Sequence, residues 1–312
     1  MARAYGSRAQ MALAFESTYG TAPGSGFAQV PFIRSTLGAT EELLNSDVLG
    51  FGRDPLAPDK DALDLDGDVV VPVDVEAFGL WLKGAFGAPS TTGSGPYTHV
   101  FTSGGYTLPA MSIETGMPEV PRFAMDTGCR VNSLSWDMQR KGHLSATVNL
   151  IGQTESPETT SQAGTLASYT LARFMQRHGS VTRGGSALGD VVSARVNYSN
   201  NLEPIDSMRG DGLIDGVDPT MAELSGQLTV RFGSETLLDQ AINGDSAAFT
   251  FALSRGASQS LTLSVPRVFL PRPKLQVEGP QGIQATFDWV AARQTDGNPM
   301  GSVTLVNSVE SY

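Results

Sequence analysis

Residues 67–86 read GDVVVPVDVEAFGLWLKGAF, and residues 226–242 read GQLTVRFGSETLLDQAI. Each stretch opens on a glycine, runs through a short strand-like segment rich in branched side chains, and then changes to a helical period. In the first, Phe78, Leu82 and Ala85 recur at i, i+4 and i+7, which predicts a helix over Val75–Phe86 with one apolar stripe. In the second, Ser234 is placed to cap a helix ending at Ile242, with Leu237, Leu238, Ala241 and Ile242 as its buried face. A gapless shift of 159 lays Gly67 on Gly226, Val69 on Leu228, Val71 on Val230, Val73 on Phe232 and Glu76 on Glu235. Further along, a shift of 139 lays Leu134 on Pro273, Trp136 on Leu275, Leu144 on Ile283, Ala146 on Ala285 and Val148 on Phe287. Such a period is too long for a solenoid unit and fits a duplicated domain, with the seam near Thr160–Thr165. Chance alignment of two unrelated all-β domains is the rival reading.

Around these units the chain alternates apolar and polar residues in short runs. Strands are predicted at Asp68–Val73, Ser112–Thr115, Arg130–Gln139, Leu144–Ile151, Val191–Tyr198, Gln227–Phe232, Ser260–Val265 and Ile283–Ala291. Glycine and proline, 35 and 18 of the 312 residues, sit mainly between them and disfavour long helices. With 40% apolar residues the chain can bury a core in each of two domains. The expected fold is mainly β, as two tandem β-sandwich domains with one short helix each.

Composition and motifs exclude several functions. A net charge of −11 repels phosphate and argues against tight nucleic-acid binding. The single cysteine, Cys129, rules out an intrachain disulfide and a zinc site built from several thiolates. No stretch approaches the ~20 apolar residues of a membrane span, and MARAYGSRAQMALAF lacks the apolar block of a secretory signal, so a soluble, unprocessed chain is expected. His99, His143 and His178 accompany no nucleophile signature, and neither G-x-S-x-G nor a phosphate loop occurs. Asp64-Leu65-Asp66-Gly67-Asp68 resembles a calcium loop, but placing Gly67 at the sixth position puts Val73 where a carboxylate is required. It reads as an acidic turn entering a strand. Neither enzyme nor cofactor is expected; a carbohydrate-binding or adhesin-like β-sandwich is the alternative that also needs no catalytic residues.

Two acidic stretches precede the strand-helix units. Residues 54–76 hold eight acids against Lys60, and residues 203–218 hold five against Arg209. Both read as long connections, and connections beyond about 12 to 15 residues are usually functional. Asp54, Asp59, Asp61, Asp64, Asp66, Asp68, Asp211 and Asp215 are therefore candidate contacts to another subunit. The first forty residues, with TAPGSG in their middle, read as an extended arm. The expected boundaries are an arm and first strand region at 1–35, a first domain at 36–162 and a second at 163–312.

Several stretches, taken in order, resemble one family. They are Glu16-Ser17-Thr18-Tyr19-Gly20-Thr21-Ala22-Pro23, Val30-Pro31-Phe32, Gly50-Phe51-Gly52-Arg53, Gly67–Pro72, Phe78–Gly87 and Tyr97-Thr98-His99-Val100-Phe101 in the first half. In the second half they are Asn200-Asn201-Leu202, Leu224-Ser225-Gly226, Val265-Pro266-Arg267-Val268 and Gly279-Pro280-Gln281-Gly282-Ile283. Together they resemble the tail tube proteins of long-tailed, siphovirus-type bacteriophages in their two-domain form. The resemblance implies a structural virion protein, made in the host cytoplasm, whose rings stack through arms and long loops into a tube for DNA ejection. It also implies tape measure, tail terminator and distal tail proteins as partners. Genomic DNA would pass without specific binding, and no membrane insertion is implied. No catalytic residue is carried over, and the acids named above would lie at ring-to-ring contacts.

Geometry gives this expectation a ring size. Four strands from each domain, spaced about 4.8 Å and tilted about 45°, close six domains into a circumference of roughly 160 Å and a backbone diameter near 50 Å. A duplex about 20 Å across passes with water around it, whereas half that ring would clog. Two domains per chain then give a trimer of pseudo-sixfold symmetry, with a hexameric ring as the rival. Acidic walls would repel phosphate, and Arg173, Arg177 and Arg183 are candidates for pairing across subunits.

Overall fold

The alternating runs become strands in the computed structural model, which describes residues 3–275, 279 and 282–312. Of the stretch Gly279–Ile283 quoted above, Pro280 and Gln281 lie outside the described residues. From the amino end, β1 (Gln10–Phe15), β2 (Ala28–Gln29), β3 (Arg34–Ser35), β4 (Gly38–Leu44) and β5 (Asp59–Pro72) lead to helix α1 (Phe78–Phe86). Next come β6 (Ser90–Thr92), β7 (Tyr97–Thr102), β8 (Met111–Met117), β9 (Arg122–Gln139), β10 (Ser145–Gly152) and β11 (Thr154–Glu158). They are followed by β12 (Gly179–Arg183), β13 (Ser186–Ala187), β14 (Val191–Ser199), β15 (Leu202–Pro204), β16 (Val217–Pro219) and β17 (Glu223–Arg231). Helix α2 (Thr236–Asn243), β18 (Ala247–Ser254), β19 (Ser260–Phe269), β20 (Gln284–Ala291) and β21 (Ser302–Asn307) complete the chain. Among the described residues, nineteen strands join one hydrogen-bonded sheet, and β15 pairs with β16 apart from it.

The backbone of the sheet is a run in the order β4, β5, β10, β9, β14, β17, β20, antiparallel throughout. Strand β3 continues β4 along β5, and the last two residues of β19 reach β20. Two further layers fold over this run. One is β1, β8, the first part of β9, and β11; the other is β12, β18, β19, β21, β7 and β6. Strand β9 belongs to both arrangements because it spans 18 residues. Where it changes layers, the Glu16 carboxylate accepts hydrogen bonds from Gly128 N–H (2.8 Å), Ser112 Oγ (2.7 Å) and Gly20 N–H (2.7 Å), tying β1 and β8 to the crossover.

Register repeats along the long run. Val71, Val69 and Gly67 of β5 face Ala146, Val148 and Leu150 of β10. Val230, Leu228 and Gly226 of β17 face Ala285, Phe287 and Trp289 of β20. These are the same pairs after the shifts of 159 and 139 found in the sequence. Both glycines are required by close approach: a Cβ on Gly67 would lie 2.5 Å from the Thr36 carbonyl oxygen, and one on Gly226 2.0 Å from that of Arg195.

The inward side chains of the run, α1 and both covering layers form one apolar cluster that includes Trp81, Phe101, Trp136, Phe249 and Trp289. Each fully buried large apolar side chain in it contributes roughly 2 kcal/mol. Helix α1 is more enclosed than its stripe predicts, with every residue except Lys83 buried. Its start is held by Asp74, whose carboxylate accepts from the amides of Glu76 (3.1 Å), Ala77 (2.9 Å) and Phe78 (2.9 Å). Tyr312 from the far end of the chain packs where a side chain on Gly79 would stand, and its hydroxyl donates to Glu76 O.

Four expectations change. Residues 54–76 are not a connection: Asp59–Pro72 is strand, because Leu63, Leu65 and Val69 alternate with aspartates. Gln10–Phe15 is not an arm but a strand buried on both faces, since MALA puts an apolar group on each side. At α2, Ser234 Oγ accepts from Thr236 N–H (3.2 Å), but Gln240 takes the buried place expected of Ile242, donating to Val268 O (3.1 Å) and leaving Ile242 exposed. Arg183 is occupied within the chain, donating to Gln240 Oε1 (2.7 Å).

Substituting Gly226→Ala is expected to destabilise the protein by roughly 1–3 kcal/mol or more, because the Arg195 backbone cannot yield. Gly210→Ala, where nothing lies within 4 Å, should leave the melting temperature nearly unchanged. Equal melting temperatures for the two variants would contradict the register described.

Candidate functional site

A strand with one face in the core must turn the other outward, and on the long run that other face is polar. In β10, Ala146, Val148 and Leu150 are buried while Thr147 and Asn149 are partly exposed. Neighbouring strands add Ser133, Ser135 and Asp137 (β9), Ser193, Arg195 and Asn197 (β14), Gln227 and Thr229 (β17), and Thr286 and Asp288 (β20). Short hydroxyl and amide groups dominate, so the surface stays hydrated. Its charge is acidic: Asp64, Asp66, Asp68, Asp137, Glu223 and Asp288 stand against Arg34, Arg195 and Arg231. Arg195 is neutralised by a two-pronged pair with Asp137 (2.7 and 3.0 Å). Asp68 is half-buried and ends a ladder in which Asn132 donates to Asn149 (3.0 Å) and Asn149 to Asp68 (2.8 Å).

Beyond Leu63 the β4–β5 hairpin leaves the core, and residues 41–45 and 51–62 are exposed on both faces. A two-stranded ribbon of this kind is marginal in water unless something packs on it. Its sides are acidic, with Glu41, Glu42, Asp59 and Asp61, and Lys60 pairs with Glu41 (2.5 Å). Its tip is apolar. Leu49 is 92% exposed, Phe51 70% and Leu43 60%, with Leu44, Val48 and Leu56 also exposed. Six apolar side chains are thus exposed on one projection, an exposed apolar patch of the kind that marks contact sites.

The eight predicted contact acids do not form one cluster. Asp54 lies in the loop at the hairpin tip, and Asp59 and Asp61 lie on one face of its outer part. Asp64, Asp66 and Asp68 lie on the opposite, polar face. Asp211 and Asp215 occupy the loop between β15 and β16, where Arg209 grips both (2.7 and 2.9 Å). The hydrogen bond from Arg209 holds the Asp211 carboxyl below its usual range, and the bond from Ser207, then Arg209, does so for Asp215. Both are satisfied within the chain. The apolar tip was missed in the sequence, although VLGF at 48–51 next to charged residues is its signal. Among the described residues no three or more His, Cys, Asp or Glu side chains gather as metal ligands.

One part-buried acid touches the root of the hairpin. Glu155 of β11 accepts from Arg122 (2.7 Å) and from Ala39 N–H of β4 (3.2 Å). Beside it, Asp126 is 1% exposed, and burial, then the Glu155 charge, push its carboxyl from 3.8 up to about 8 against the pull of Arg122. Its Oδ1 has no hydrogen-bond partner among the described residues.

A family model described as Phage tail tube protein matches residues 6–291. None of the curated proteins matches the chain.

Asp126 sets a pH dependence. Its folded-state pKa exceeds the unfolded one, so its stabilising contribution is fully present below about pH 4 and is lost as pH rises through about 8. Asp126→Asn should flatten the fall in melting temperature between pH 5 and 8; an unchanged slope would show that the acid is ionised in the fold.

Proposed function

The chain belongs to the phage tail tube protein family, a family of structural virion proteins and not of enzymes, and from this premise we propose how its copies build the tube. Two related units per chain, at 36–162 and 163–312 with 1–35 leading in, stand side by side, and three chains close a ring of pseudo-sixfold symmetry. Rings stack into a conduit with acidic walls through which genomic DNA passes during ejection.

The observation that carries this reading is the long antiparallel run itself. Counting the end of β19, it has eight strands, and its pairs repeat at the two shifts seen in the sequence, which supports four strands per unit. Eight strands in each of three chains give the 24 that a backbone diameter near 50 Å requires. The wall it offers to the lumen is the polar face. Short hydroxyl and amide groups hold water, and the excess of aspartate repels phosphate through that water, so a duplex is not retained. A tape measure protein would occupy the same bore before ejection, and terminator and distal tail proteins would cap the two ends.

Stacking is assigned to the β4–β5 hairpin. Its tip exposes Leu43, Leu49 and Phe51 on a ribbon with no core of its own, and burying them against the next ring removes both liabilities. The acids Asp54, Asp59 and Asp61 flank that contact and set its ionic-strength dependence, while Asp211 and Asp215 serve mainly to hold their own loop.

Negative-stain microscopy of concentrated protein should show hollow tubes with an axial repeat. The double variant Leu49→Ser, Phe51→Ser should melt as the wild type does, both residues being exposed, yet give isolated rings. Tubes of normal length from that variant would overturn the stacking assignment, and globules alone from wild type would overturn the function.

A further inference from the structure

The junction between the two halves of the chain contains more strand than the free end of the second half. Arg130–Gln139 of β9 lies between β10 and β14, with Ser133 opposite Ser199, Leu134 opposite Tyr198 and Trp136 opposite Val196. The counterpart of β10 is β20, and β17 covers one of its sides. On the other side only Val290 and Ala291 are paired, with Phe269 and Val268 of β19, so Gln284–Trp289 faces no strand there among the described residues. The ladder stops at Phe269, just ahead of Pro271 and Pro273. At the opposite end of the run, β4 is paired with β5 alone among the described residues.

The two shifts specify what is missing. Arg130 faces Ile151 as Phe269 faces Val290, so the shift of 139 carries Ser133, Leu134 and Trp136 to Arg272, Pro273 and Leu275. Ala194 faces Leu228 as Ser35 faces Val69, and Asn197 faces Ser225 as Gly38 faces Asp66. The shift of 159 therefore carries Val196, Tyr198 and Ser199 back to Leu37, Ala39 and Thr40. We propose that Leu270–Leu275 continues β19 as a strand only when a second copy of the chain docks, lying between its own β20 and that copy's β4, with Pro273 opposite Ala39 and Leu275 opposite Leu37. This deepens the ring reading above and rests on it.

Charge and backbone chemistry fit this occupant. Arg267–Leu275 carries Arg267, Arg272 and Lys274 and no acid, whereas β4 and the adjoining part of β5 carry Glu41, Glu42, Asp64 and Asp66. The contact is head-to-tail, which is the type that closes rings. Pro271 and Pro273 share parity, so the missing amide donors lie on one side of the segment, and those of Arg272 and Lys274 point to the other. Ala39 N–H points away from β5, so in a pair with Ala39 the donor that Pro273 lacks lies on the outer edge, and the prolines and bases blunt that edge in a free chain. Ala39 N–H already donates to Glu155, so the incoming strand displaces that carboxylate or bonds around it.

The test mixes two single variants, Ala39→Cys and Pro273→Cys, so that any disulfide between them joins two chains. Cys129 does not interfere, being fully buried with its thiol pushed well above the ordinary range. Under assembling conditions, oxidation should convert most of the mixture to a covalent dimer on a non-reducing gel. Ala39→Cys with Arg272→Cys, whose side chain points to the other face, should not cross-link. Hydrogen exchange on the unsubstituted chain provides a second readout: the Arg272 and Lys274 amides should slow at least tenfold on assembly. Tubes that form without the cross-link and without protection overturn the inference and leave the ring reading standing. A chain that stays monomeric at every concentration overturns both.

Discussion

Unpaired backbone amides and carbonyls at the two ends of one long antiparallel run are the constraint on which the rest depends. An open edge invites any other strand, and a protein that lives as a monomer blunts it. Here the two ends differ in kind. Strand β4 is acidic and extends into a projecting ribbon, while β20 alternates buried and exposed residues along a side that the described strands cover only at Val290 and Ala291. A single chain cannot satisfy both ends; a closed ring of chains can.

The same run explains the division between stability and function. Its inner face contributes Val69, Val148, Leu134, Val196, Leu228 and Phe287 to the core, and these side chains hold the two halves together as one cluster. Its outer face contributes almost nothing to packing and is free to be chosen for water and charge. Strand β7 from the first half pairs with β21 from the second, and Tyr312 locks onto the start of α1. The halves are therefore interlocked at the back of the sheet, which leaves the polar face as a smooth, shared surface.

Much of this was legible in the sequence because alternation and the strand-to-helix change at Gly67–Phe86 and Gly226–Ile242 are local signals. The pairs Val71–Ala146 and Val230–Ala285 even preserve the two shifts. What escaped was non-local. The aspartates of β5 read as a loop because their charge outweighed the Leu63, Leu65, Val69 alternation, and nothing local says that β4 will pair with them. Gln240 displaced Ile242 from the core because its amide meets Val268 O and Arg183, partners 28 and 57 residues away. Asp211 and Asp215 were read as free contacts because their pairing with Arg209 depends on how one loop folds back. The exposed tip at Val48–Phe51 left only the local mark of VLGF among charged residues, and its exposure follows from the hairpin running past the core.

A reconstructed cross-section of the assembled tube at a resolution that separates strands tests the central claim most directly. The account predicts three chains per ring, 24 strands around the bore, and Ser135, Thr147, Asn197 and Thr229 facing the lumen. A wall lined instead by the opposite face of the run, or a ring of six chains, would contradict it.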